Sequence, residues 1–89
     1  MGMTDQLFSN SIEAQNVISD LRTQLRKLPF NRDLIRLCEN LESMVSDLSS
    51  EEVKARRTRK TNGFDEKAAE LQKNIVYFQQ LIIIHRLRN

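Results

Sequence analysis

Pro29 is the only proline in the chain, and on both sides of it apolar residues recur in steps of three and four. Such steps put side chains on one face of a helix. A proline removes a backbone donor and clashes with the turn before it, so no helix runs through this point undisturbed. Two amphipathic helices joined by a tight turn are therefore the framework on which the rest of the chain has to be built.

Before the proline the stripe is Leu7, Ser11, Ala14, Ile18, Leu21, Leu25 and Leu28, which predicts a first helix over about residues 4–28. Asp5 near its start and Arg26 and Lys27 near its end complement the helix dipole. Asn31, just past Pro29-Phe30, has the chemistry of an N-cap. Leu34, Leu37, Leu41, Met44 and Leu48 then define a second helix over about 31–49, with Ile35, Cys38 and Val45 widening its apolar face. So short a connection makes the two helices antiparallel neighbours. Ser49-Ser50-Glu51-Glu52 reads either as a break with a new capping box or as the continuation of one long helix, with a fray or kink the favoured outcome, and a basic connector over about 50–63 ends at the Asn62-Gly63 breaker. Asp65 is a candidate cap for a third helix over about 65–87, with Phe64 placed to staple onto Ala69.

The third helix carries Ala68, Leu71, Ile75, Phe78, Ile82 and His85 on its main stripe. Tyr77, Leu81 and Ile84 form another, and Ile83 fills the gap, so the last turns are apolar nearly all round. Helices of that kind are covered on more than one side. With two glycines, no tryptophan and five aromatics, the chain lacks the turn and strand chemistry of an all-β domain. The expectation is a single all-α domain over residues 1–89: a three-helix bundle, or a helical hairpin plus a long C-terminal helix, antiparallel and coiled-coil-like in its packing.

Catalytic chemistry finds no foothold in these residues. Gly2 and Gly63 cannot make a phosphate-cradling loop, and the acidic pairs Glu39–Glu42 and Glu51–Glu52 read as helix surface. His85 is the only histidine and Cys38 the only cysteine, so neither has a second metal ligand or a base at a telling spacing. His85 reads as packing or capping near a helix C-terminus, and Cys38 as a small buried hydrophobe. No enzyme activity, cofactor, metal or small-molecule substrate is expected.

Two surfaces remain. A bundle core absorbs one face of each helix, and the surplus on the third helix nominates Ile75, Tyr77, Phe78, Leu81, Ile82 and Ile84 for a protein partner or a second copy of the chain. Lys54, Arg56, Arg57, Arg59 and Lys60 hold the local basic excess, with a net +3 over residues 51–63 against +2 for the whole chain. On one continuous helix Arg56, Arg59 and Lys60 would share a face able to contact phosphates. No aromatic platform is interleaved with them, so nucleic-acid binding or nuclear import is the secondary reading, with contact to an anionic membrane a further alternative for this run. The sequence thus points to an adaptor, co-chaperone or assembly subunit. An absent disulfide pair and signal-like start suggest an intracellular setting, cytoplasmic first and nuclear second. The apolar runs Ile75–Phe78 and Leu81–Ile84 are each far short of the ~20 residues that span a bilayer.

Overall fold

The computed structural model describes residues 6–88 and contains three helices, α1 (Ser11–Leu25), α2 (Arg32–Thr58) and α3 (Asn62–Arg88). The all-α bundle expected from the spacing is what forms. α2 is the middle helix: it packs along both neighbours, whereas α1 and α3 meet each other sparingly. One core joins Ala14, Ile18, Leu21 and Leu25 of α1, Leu34, Cys38, Leu41, Val45 and Leu48 of α2, and Leu71, Ile75, Phe78 and Ile82 of α3.

α1 starts later than its apolar spacing suggests. Residues 6–10 are not helical, and the part of the expectation on residues 4 and 5 lies outside the described residues. The start is fixed by a reciprocal cap. Asn10 is extended and its side chain accepts the Glu13 N–H at 2.8 Å, while Glu13 Oε1 accepts the Ser9 N–H at 2.7 Å and the Ser9 hydroxyl at 2.8 Å. Those bonds satisfy donors that a helix N-terminus otherwise leaves bare. Leu7 and Phe8 still reach the core, but from a non-helical segment: Phe8 is buried, and the Leu7 N–H donates to Gln72 Oε1 of α3 at 2.9 Å.

The turn at Pro29 falls where expected, with a different chemistry. Asn31 occupies the N-cap position of α2 but makes no side-chain cap bond. Its Nδ2 instead donates to the Leu25 carbonyl at 2.7 Å, closing the C-terminus of α1. Phe30 sits at φ 52°, left-handed backbone that costs an L-residue about 1–2 kcal/mol. From α3, His85 Nε2 donates to the Pro29 carbonyl at 2.6 Å; a carbonyl can only accept, so the proton in this contact is on Nε2.

At Ser49-Ser50 the alternative of a continuing helix is the one that forms, in place of the favoured fray or kink, and the basic connector is largely helix. α2 runs on to Thr58 because Leu48 is fully buried and Glu52, one turn further, bonds α1: Glu52 Oε1 accepts the Ser11 hydroxyl at 2.8 Å and Oε2 the Ser11 N–H at 3.3 Å. Serine is a tolerable helix residue, and tertiary contacts decide the matter. The real stop is Arg59, left-handed at φ 59°, whose N–H closes on the Ala55 carbonyl at 2.8 Å. α3 then begins at Asn62 rather than Asp65, because the Thr61 carbonyl accepts the Asp65 N–H at 2.8 Å and the Thr61 hydroxyl donates to Asp65 Oδ2 at 3.1 Å. Gly63, expected to break the chain, lies in the first turn of α3, where a Cβ would collide with the Glu51 carboxylate.

Candidate functional site

The apolar stripe of α2 is turned slightly from the one that spacing suggests, and that small turn creates the site. Leu34, Leu41 and Leu48 are buried as expected, but their core flankers are Cys38 and Val45. Leu37 and Met44 lie on the other flank, at the edge facing α3. Leu37 and Met44 follow leucines of that line by three residues and Cys38 and Val45 by four, both of them same-face steps on a helix, so spacing cannot choose between the pairs.

Opposite that edge, α3 presents Asn74, Tyr77, Phe78 and Leu81. Together with Leu37, Asn40, Leu41 and Met44 they line a groove of about 150 Å³ between the two helices. Leu41 and Phe78 form its floor and belong to the core. Its rims are open to solvent: Tyr77 is 61% exposed and Leu37 39%. Ile84, 44% exposed, extends the α3 rim by one turn beyond Leu81. Asn40, Asn74 and the Tyr77 hydroxyl are the polar groups among the lining residues, and Asn74 Nδ2 already donates to the Glu70 carbonyl at 2.8 Å.

Of the six α3 residues nominated from the sequence, Ile75, Phe78 and Ile82 are buried within the molecule's own core. They fix the position of α3 and are not an exposed surface. Leu81 is half-buried against that core, while Tyr77 and Ile84 are exposed. The α2 rim, Leu37 and Met44, was assigned to the core by its spacing. Its only sequence signal is that one helix cannot bury both flanks of a leucine line in a single core.

The basic residues do not assemble as one helical face. α2 ends at Thr58, which leaves Arg59 and Lys60 in the turn, so Arg56 does not continue into a stripe with them. Lys54 Nζ is bonded to Glu51 Oε2 at 3.2 Å, and Arg56, Arg57, Arg59 and Lys60 are exposed. Arg56 and Arg57 lie in the last turn of α2, where positive charge complements the helix dipole.

Cys38 is enclosed in the core. Burial pushes its thiol up from the usual range, the Glu42 carboxylate pushes the same way, and Arg22 opposes them. A thiol held neutral and enclosed is a poor nucleophile. Arg22 itself donates to Glu42 Oε1 at 2.6 Å, bridging α1 and α2 at the half-exposed surface. Among the described residues no group of three or more His, Cys, Asp or Glu is placed to hold a metal ion, and no helix is long and apolar enough to cross a membrane. The chain matches no family model, no curated protein and no solved structure.

Proposed function

We propose that the protein is a non-enzymatic interaction module, an adaptor, co-chaperone or assembly subunit, that seats an amphipathic helix in the α2–α3 groove. The observation that carries this reading is the spacing of the open rims. Leu37 and Met44 are seven residues apart on α2, and Tyr77 and Ile84 are seven apart on α3 with Leu81 between them. Each rim therefore offers apolar contacts over two helical turns, ~10 Å, the repeat at which a helix presents anchors at i, i+3 or i+4, and i+7. Asn40 and the Tyr77 hydroxyl supply polar groups able to fix an incoming helix in register.

Selection of displayed helical peptides on the full chain tests the proposal, with counter-selection against Tyr77→Glu/Ile84→Glu. Both positions are exposed, so this variant keeps its helicity. The expected binders carry apolar residues at the stated spacing and lose affinity for the variant. Light scattering over a concentration series asks whether the occupant is a second copy, in which case the variant is monomeric. No enriched helix together with a monomeric wild type overturns the proposal.

A further inference from the structure

We propose that the end of the molecule formed by the α1–α2 turn and the last turns of α3 is a contact site for an anionic lipid bilayer surface. The fold gathers there charges that are dispersed along the chain. Arg26 and Lys27 follow α1, Arg32 and Arg36 lie in the first turns of α2, and Arg86 and Arg88 end α3; all six are exposed. Asp33 is the only acid in residues 26–36 and 84–88, which makes this end more positive than the +2 of the entire chain. The segments are tied together by the bond from His85 to the Pro29 carbonyl and by Arg86 Nη2 donating to Gln24 Oε1 at 3.4 Å.

Among these cations stand two large apolar side chains that the fold leaves in water, Phe30 at 85% exposure and Leu87 at 82%. Ile83 and Ile84 are partly exposed beside them along α3. Phe30 is held in left-handed backbone, a conformation better suited to glycine, and gains no burial in return. A cluster of Lys and Arg with an aromatic and a leucine projecting from it matches a surface of anionic headgroups over hydrocarbon. The cations meet the headgroups, and the apolar pair inserts below them. Nucleic acid would satisfy the cations but offers nothing to Leu87. Ile84 also ends the α3 rim of the groove, but Phe30, Leu87 and the six cations lie outside the groove lining, so this site stands without it.

The chain has no tryptophan, so Phe30→Trp places a single reporter at the proposed point of insertion. The probe is phosphatidylcholine vesicles with and without about 30 mol % phosphatidylglycerol, and the readouts are flotation and Trp emission. Expected are flotation and a blue shift with the anionic vesicles alone, weakening as salt rises, and affinity about fivefold lower for each of Arg86→Gln and Arg88→Gln. Phe30→Gly relaxes the strained turn and keeps the fold, checked by circular dichroism, yet loses flotation. Absent flotation, flotation without a blue shift, equal binding to neutral vesicles, or flotation that survives Phe30→Gly each overturns the proposal. Loss of binding in Arg56→Gln/Arg57→Gln/Arg59→Gln also overturns it, by moving the contact to the other end of α2. A blue shift given by duplex DNA or polyglutamate but not by vesicles overturns it as well, in favour of those partners.

Discussion

Truncating two leucines of one helix separates core from groove. Leu48 is fully buried in α2, whereas Leu37, on the same helix, is 39% exposed at the groove edge. Leu48→Ala removes buried methyls and leaves a cavity that three helices can only partly close, a loss of about 3–4 kcal/mol. Leu37→Ala loses only part of a leucine's burial and opens onto solvent, so its cost is about 1 kcal/mol. Helix propensity changes equally in both. For a domain of this length total stability is about 4–13 kcal/mol, so the first substitution removes a large share of it. Urea unfolding followed by circular dichroism measures both. With a slope of about 1 kcal/mol per molar urea, the midpoints fall by about 3–4 M and about 1 M. Equal losses, or a larger one at Leu37, would mean that α2 presents the Leu37–Met44 flank to the core, and the groove reading would fail with it.

Asn31→Asp keeps a good N-cap residue for α2 but removes the amide that donates to the Leu25 carbonyl; it should lower stability by about 1 kcal/mol, and unchanged thermal melting would refute the C-terminal closure of α1. Arg59→Gly relieves the left-handed cap and should raise stability by about 0.5–1 kcal/mol, a few degrees in Tm; a lower Tm would show that the side chain matters more than the backbone. The Glu13 carboxyl lies below its ordinary 4.5 because the Ser9 hydroxyl and N–H bond its charged form. Its folded pKa is thus below its unfolded one, so its contribution is complete above the ordinary value and is lost as pH falls through the folded one. Glu13→Gln should flatten that part of the acid limb, and an unaltered limb in urea titrations below pH 5 would refute the bond. Cys38, neutral and enclosed, should resist thiol reagents in native protein and react only on unfolding; rapid native labelling would contradict its burial.

The helical class was legible in the sequence, and so was the α3 stripe of Leu71, Ile75, Phe78 and Ile82, but its role was not: spacing offers Ile75, Phe78 and Ile82 to a partner, and the chain's own core takes them. The rest depended on interactions that spacing does not encode. Leu7 and Ser11 fit the heptad, yet the Ser9, Asn10 and Glu13 cap starts α1 only at Ser11. Ser49-Ser50 reads as a weak point, but Leu48 and the Glu52 bonds to Ser11 hold the helix across it. Asn31 has the chemistry of a cap for the helix that follows and serves the one before it. For the candidate site, Tyr77, Leu81 and Ile84 could be found as surplus on an overly apolar helix, and Leu37 and Met44 could not. Which flank of a leucine line faces inward depends on where the neighbouring helices sit. The basic end was invisible in linear order because it joins three stretches, none of them conspicuous alone.

The sparse seam between α1 and α3 gives the molecule an order of events. Both hairpins are closed by turns of a few residues, whereas the bonds that link α3 to α1 and the segment before it, the Leu7 N–H to Gln72 and Arg86 to Gln24, bridge separations of 65 and 62 residues. Loop-closure entropy weighs most on such long-range links, and little helix-to-helix packing repays it there. They are therefore the last native contacts to be made and the first to be released, with α2 as the hinge post. The sparse packing predicts that the lowest-energy excursion of the native state is an opening of this seam like a book, which uncovers Leu21 and Ile82 while the α2–α3 pair stays intact. Amides of α1 would then exchange with solvent sooner than those at the centre of α2.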